Sequence, residues 1–184
     1  MLEILLSYFC APALAGIKPA NTLTCQKMLM PDIQNQIEKL SGELNSRDIY
    51  IDVLCEYERY ILIMVYRKKV LAKHLSKGEN RDFLSKFGYR ECDDLYEYIS
   101  FLKTRFSYCR FPHEIGVFLG YPLFDIYSFI NHRSDGCLMA GEWRVYHNMD
   151  EASAIFERYR VCRNSLAKKV IDGKKLSDVF IPLN

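Results

Sequence analysis

Residues 48–67, DIYIDVLCEYERYILIMVYR, carry the strongest β signal in the chain and decide its fold. In the first half, Ile49, Ile51, Val53 and Cys55 fall on one side and Tyr50, Asp52 and Leu54 on the other. A period of two is that of a pleated strand with one covered face. The chain turns polar at Glu56–Arg59, and YILIMVY then follows, apolar on both sides. A strand covered on both faces has that composition. The segment therefore reads as a hairpin whose second strand is central to a sheet.

Helices are expected on either side of this hairpin. Upstream, residues 2–9 form a short apolar run, Pro12 and Gly16 break the chain, and LAGIKPANTLTC (14–25) reads as extended. Pro31 and Asp32 open DIQNQIEKLSGEL, where Ile33, Ile37 and Leu40 make one apolar stripe. Downstream come KKVLAKHLS and NRDFLSKFG, the latter stopping at Gly88. In DDLYEYISFLKTRFSY, Asp93 caps a helix with Leu95, Ile99, Leu102 and Phe106 inward. LFDIYSFINHR starts behind Pro122. GCLMAGEWRVYHN alternates Trp143, Val145 and His147 and reads as one more strand. Asp150 caps a long helix with Ile155, Tyr159, Cys162 and Leu166 on its stripe, and KLSDVF makes a short tail helix. Strands and helices do not alternate regularly. The expectation is a single compact α+β domain over 1–184, with a small antiparallel sheet of three to four strands flanked by several helices.

Composition sets the outer bounds. The chain has 184 residues, about half of them hydrophobic and 14% aromatic, enough for a packed core without disulfide or metal. A net charge of +2 gives no clear nucleic-acid signal. MLEILLSYFCAPALAG imitates a signal peptide, but it lacks a basic leader and places Glu3 inside the apolar run. No run reaches the roughly 20 apolar residues of a membrane span. Seven cysteines without tight pairing suit reduced thiols. The expected location is cytoplasmic.

Chemistry is concentrated in CRFPHEIGVFLGYP, residues 109–122. Pro112 suits the first turn of a helix, Glu114 would sit in that turn, and Pro122 ends it. Gly116 and Gly120 leave one side of the turn bare, so another backbone can approach. Cys109 ahead of a helix start, beside Arg110, is a candidate thiolate. His113 is a candidate proton carrier and Glu114 a candidate acid or base. Against thiol catalysis, Cys-x-x-x-His is no catalytic signature, and Pro112 breaks the spacing that would align the pair. Metal candidates are Cys10, Cys109 and His113, with Cys137 and Cys162 as further thiols, although neither C-x-x-C nor H-E-x-x-H occurs. Cys55 and Cys162 fall on apolar stripes and read as core, whereas Cys10 and Cys109 fall at breaks and read as the exposed thiols.

The third constellation is AGIKPANT (15–22). Gly16, Lys18, Asn21 and Thr22 could hold a small anion through backbone N–H groups and an ammonium. The plainer reading has Gly16 and Pro19 shaping a turn that Asn21 caps. No P-loop and no G-x-G-x-x-G is present. Trp143, with Tyr146 and His147 nearby, could wall a pocket.

CAPALAGIKPANTLT, CRFPHEIGVFLGYPLFDIYSFI and GEWRVYHNMDEASAIFERYRVCR together resemble the bacterial domain-of-unknown-function family DUF3793, over almost the whole chain. The resemblance implies a bacterial cytosolic protein with a link to redox or iron handling, and implies no established activity or cofactor. The leading expectation is a cytosolic accessory protein that binds a small anionic ligand or a metal where the segments of Cys10 and Cys109–His113 meet. The alternative is a protein–protein adaptor docking through the basic last helix (Arg158, Arg160, Arg163, Lys168, Lys169, Lys174, Lys175). A thiol-dependent enzyme is the third.

Overall fold

The computed structural model describes residues 1–92, 94–108 and 111–181. Its centre is an antiparallel sheet of β1 (Ala20–Gln26), β2 (Ile49–Glu56) and β3 (Tyr60–Arg67), in the order β1-β3-β2. The hairpin is as expected, and its second strand is the middle one. Leu62, Met64 and Tyr66 point to one face of β3, and Ile61, Ile63 and Val65 to the other. All six are buried. Each contributes roughly 1.5–3 kcal/mol when fully removed from water, so helices are drawn to both faces.

The helices are α1 (Leu2–Phe9), α2 (Ala11–Leu14), α3 (Ile33–Leu44), α4 (Lys68–Leu75), α5 (Gly78–Ser85), α6 (Leu95–Tyr108), α7 (Ile115–Phe118), α8 (Leu123–His132), α9 (Met149–Ile171) and α10 (Leu176–Val179). Leu2, Leu14, Ile37, Leu166 and Leu176 cover the face of Ile61, Ile63 and Val65, which places α1, α2, α3, α9 and α10 there. Leu71, Phe83, Leu102, Phe118 and Ile126, from α4 through α8, cover the other. The fold is α+β. No helix among the described residues is long and apolar enough to cross a membrane.

The structure corrects four local expectations. First, β2 carries a register shift between Val53 and Cys55, so Leu54 is an extra residue. Ile49, Ile51 and Val53 stay on one face, but Cys55 packs with Tyr50 and Leu54 on the other. A bulge resets the alternation, so strict period two fails beyond it. Second, Pro12 does not break the chain into an extended segment. It occupies the first turn of α2, where its missing N–H costs nothing, and the chain becomes extended only at Ala20. Third, residues 139–145 form a separate small hairpin, β4 (Met139–Ala140) with β5 (Arg144–Val145), not one strand of the main sheet. Trp143 and Val145 are buried, whereas His147 is exposed. Fourth, α9 is capped by Asn148, whose side chain accepts from Glu151 N–H while Glu151 takes its amide in return. Asp150 lies inside the first turn. The capping expected of Asp93 lies outside the described residues.

A third cluster joins this hairpin to α9 through Trp143, Val145, Ala152 and Tyr159. Gly120, at φ +71°, ends the turn after α7, and Pro19 lies against it: a Cβ there would meet the proline Cδ at 2.6 Å. This is where the two motif segments touch.

Gly120→Ala should therefore lower the unfolding free energy by about 2 kcal/mol or more, through strained backbone and overlap. Gly42, a helical glycine with open space around it, is the control: Gly42→Ala should raise stability by roughly 0.5–1 kcal/mol. Urea midpoints measure both.

Candidate functional site

The site is assembled by one carboxylate. Asp125 sits in the first turn of α8 and is buried. Its Oδ2 accepts Trp143 Nε1–H at 2.7 Å and its Oδ1 accepts Tyr146 N–H at 2.9 Å. Those two bonds fix the β4–β5 hairpin against α8 and set the plane of the indole. Tyr121 packs beside Trp143 with centroids 5.3 Å apart, and Phe156 meets the indole edge-on at 4.6 Å. Gly141 makes room for Phe156, because a Cβ there would fall 2.2 Å from the ring.

Between these elements lies a cavity of about 410 Å³. Trp143, Tyr121, Phe111, Phe129, Ile126 and Leu119 supply apolar wall, while Thr22, His113, Asp125 and Arg144 bring polar atoms to it. Arg144 is exposed and makes no ion pair among the described residues. His113 stands between Phe111 and Phe129. Its Nε2 lies 2.7 Å from Arg133 Nη1. A guanidinium can only donate, so Nε2 accepts and the ring proton belongs on Nδ1. Burial first, then the Arg133 charge, pushes the His113 pKa down, so the imidazole is neutral near pH 7. Arg133 itself has φ 56° and ψ −119°, a costly conformation for a residue with a side chain, and its carbonyl is held by the Tyr146 hydroxyl.

The residues singled out in the sequence fall into different environments. Thr22 and His113 share the cavity. Glu114 does not line it. It is buried and paired with Arg105 Nε at 2.6 Å, and the helix behind it is a single turn starting at Ile115. Cys109 and Arg110 lie outside the described residues. Cys10 was expected to be exposed at a break, and is fully buried instead. The chain continues from α1 into α2 there: Cys10 N–H bonds to Leu6, and its carbonyl takes Leu14 N–H. Burial pushes the Cys10 thiol up to about 12, against the lowering pull of Lys18.

In AGIKPANT the plainer reading describes the geometry. Gly16 has φ +75°. The N–H groups of Gly16, Ile17 and Lys18 are already bonded to Ala13, Pro12 and Pro12 carbonyls, which leaves no amide cradle for an anion. Asn21 Oδ1 accepts Ala13 N–H at 3.1 Å on the face of β1 opposite Thr22. Lys18 is 2% exposed. Its ammonium lies 3.8 Å from Glu142 Oε2, 5.1 Å from the Tyr121 ring and 5.5 Å from the Tyr159 ring. Burial holds its pKa down to about 8, against the opposing pull of Glu142. Tyr121 thus belongs to both places, as cavity wall on one side and cover for Lys18 on the other.

Among the described residues no three His, Cys, Asp or Glu side chains converge as a metal site. Cys137 bonds to the Met139 carbonyl, and Cys162 is half-buried against the cluster that includes α1 and α2. In the basic last helix, Arg163 is turned in to Glu142 at 2.5 Å and Arg160 clamps Glu157. Residues not foreseen are Asp125, Arg133, Arg144 and His74, the last bonded to the Val117 carbonyl at 2.9 Å. For Asp125 a signal existed: it is the lone charge in the apolar run LFDIYSFI.

The family described as "Protein of unknown function (DUF3793)" matches residues 6–180. No curated protein and no solved structure matches the chain.

Asp125→Ala leaves the buried indole N–H without an acceptor and should cost about 1–3 kcal/mol, with a shifted Trp143 emission maximum. Lys18 gives a pH signature. Its pKa is about 8 in the fold against the ordinary 10.5, so between those values the unfolded chain binds more protons and stability rises with pH. The wild type should therefore gain on a Lys18→Met variant from pH 8 to 10.5 by up to about 3 kcal/mol, measured by denaturant titration at each pH. Below that window the variant should be at least as stable, because a buried ammonium is replaced by an apolar chain. Cys10, whose thiol stays protonated in the fold, acts in the opposite direction above pH 9 in both proteins and drops out of the difference.

Proposed function

The chain belongs to the DUF3793 family, and from that premise and the shape of its cavity we propose that it is a small-molecule-binding protein of the bacterial cytoplasm. Its ligand is a flat, mostly apolar organic acid. One observation carries the reading: a cavity of about 410 Å³ walled by Trp143, Tyr121, Phe111 and Phe129, with Arg144, which has no ion pair among the described residues, on its wall. The volume falls in the range of pockets that enclose small ligands, and aromatic walls with a few polar groups are typical of them. Flat rings stack on Trp143 and Tyr121. A guanidinium suits a carboxylate or sulfonate through paired N–H bonds. Inorganic phosphate would be a poor tenant, since most of the lining cannot replace its hydration.

The cytoplasmic placement is supported by the thiols, since every cysteine among the described residues is free. Any connection to redox or iron handling would enter through the ligand, since the described side chains offer no metal cluster.

Trp143 is the sole tryptophan, so its emission reports directly on the cavity. Anilinonaphthalene sulfonate should bind the folded protein one to one and quench that emission. Phenylnaphthylamine has the same rings without the sulfonate and should bind more weakly. Arg144→Ala should weaken the sulfonate about tenfold or more and leave the neutral probe unchanged. If neither probe gives a saturable change with the native protein, the reading is wrong.

A further inference from the structure

The ammonium of Lys18 is the group that the binding reading leaves unexplained. It is buried, yet it makes no hydrogen bond among the described residues. Its one carboxylate contact among the described residues is Glu142 at 3.8 Å, and Glu142 is held more closely by Arg163, at 2.5 Å. A buried ammonium held only by a distant, shared carboxylate and two ring faces is costly to keep charged. A methionine would fill the same space between Tyr121 and Tyr159 without that cost, so packing alone does not account for a lysine here. The amine also lies directly behind the cavity: Tyr121 lines the cavity, and Lys18 Nζ sits 5.1 Å from the centre of its ring. On the protein side this ring is flanked by glycine. A Cβ at Gly116 would lie 3.2 Å from Tyr121 Cδ2, and Gly120 precedes the ring in the chain. Tyr121 is therefore part of the wall between amine and cavity, packed against Gly116 and preceded in the chain by Gly120.

Resting on the ligand-binding reading above, we propose that Lys18 is a reactive amine that captures an aldehyde or ketone seated in the cavity as an imine, with the Tyr121 ring as the door. The step balances without an outside oxidant or reductant. Glu142, the nearest carboxylate, takes a proton from the ammonium. The free Nζ lone pair attacks the carbonyl carbon, the C=O π pair moves to oxygen, and proton transfer from nitrogen to oxygen gives the carbinolamine. Glu142 returns its proton to the carbinolamine hydroxyl, which leaves as water, and the C=N bond forms as a protonated imine. Burial and the neighbouring Arg163 both lower the amine's pKa, to about 8. A desolvated lysine beside a second cation is the usual way to keep an amine nucleophilic near neutrality. The carbonyl carbon takes the place along the cavity wall where Tyr121 stood, while the apolar part of the ligand rests on Trp143 and Phe129. An acidic group on the same molecule would reach Arg144.

The test uses benzaldehyde with sodium cyanoborohydride on the full-length protein, followed by peptide mapping. Lys18 should be benzylated at least about tenfold faster than the surface lysines, which stay protonated at neutral pH. Tyr121→Ala should speed the labelling. Anilinonaphthalene sulfonate should slow it in the wild type by occupying the cavity. Lys18→Arg should lose the fast phase and still bind the sulfonate. Surface lysines labelled while Lys18 stays unmodified, in the wild type and in any folded Tyr121→Ala protein, would overturn the imine. If the sulfonate binds normally in that case, the ligand-binding reading survives alone. Labelling of Lys18 that the sulfonate fails to slow would overturn the route through the cavity.

Discussion

Between Ile61 and Tyr66, β3 is almost wholly withdrawn from water. Both its edges are paired, and both its faces are apolar and buried. A three-stranded sheet that is apolar on one side needs one layer of helices. A sheet whose middle strand is apolar on both sides needs two, and the chain supplies them in blocks. Residues before β2 and after residue 148 cover one face, and those from Lys68 to His132 cover the other. The split has a cost in connectivity: α9 must return across the molecule to sit on α1 and α2, the first helices made. At 23 residues it is about 35 Å long. That length lets its second half pack under the sheet through Leu166 and Val170, while its first half, through Ala152 and Tyr159, holds the small hairpin beyond the edge.

The cavity lies where that return leaves a gap, between α7–α8 and the β4–β5 hairpin. The hairpin has only two short strands of its own, and apart from Asp125 it is tied down by apolar contacts, the Glu142 ion pairs and the Tyr146 hydroxyl on the Arg133 carbonyl. The carboxylate replaces the missing sheet with two bonds, one to an indole and one to a backbone amide. The same bonds leave Trp143 with one face in the third cluster and access to the hollow. Polar groups near the hollow divide into those already satisfied and those left open. Glu114 and Asp125 are bonded within the protein, whereas among the described residues Arg144 makes no ion pair and the Lys18 ammonium has no hydrogen bond, only Glu142 at 3.8 Å and two ring faces. The functional reading rests on this division between closely bonded and loosely held charge.

Much of the fold was legible in the sequence, because burial leaves a periodic trace. The two-sided apolarity of residues 60–66 gave the central strand, and the stripe Leu95, Ile99, Leu102, Phe106 gave an inward helix face. All four of those side chains are buried. What failed to show was whatever depends on a single residue. The extra Leu54 has no mark in an alternating string, so Cys55 was assigned to the wrong face. Pro12 reads equally as a break or as a helix start, and only the packing of Ala11, Ala13 and Leu14 decides. The meeting of Pro19 with Gly120 was foreseen only as a glycine surface open to some backbone. The site was legible as a neighbourhood more than as a set of roles. Thr22, His113 and Trp143 do border one hollow, but Lys18 stands behind its wall and Cys10 is in the core. Asp125 could have been noticed as a charge out of place. Arg144 could not, since nothing local separates it from any other exposed arginine.

The bulge in β2 reaches beyond the register of one side chain. β2 is an outer strand, and its free backbone groups would otherwise form a straight template for a strand from a neighbouring molecule. At Leu54 that row of donors and acceptors is broken and the strand is bent. A visiting chain could match the groups before the break or those after it, never both in one continuous ladder. One inserted leucine therefore acts as a guard against self-assembly into extended cross-molecular sheets along that edge.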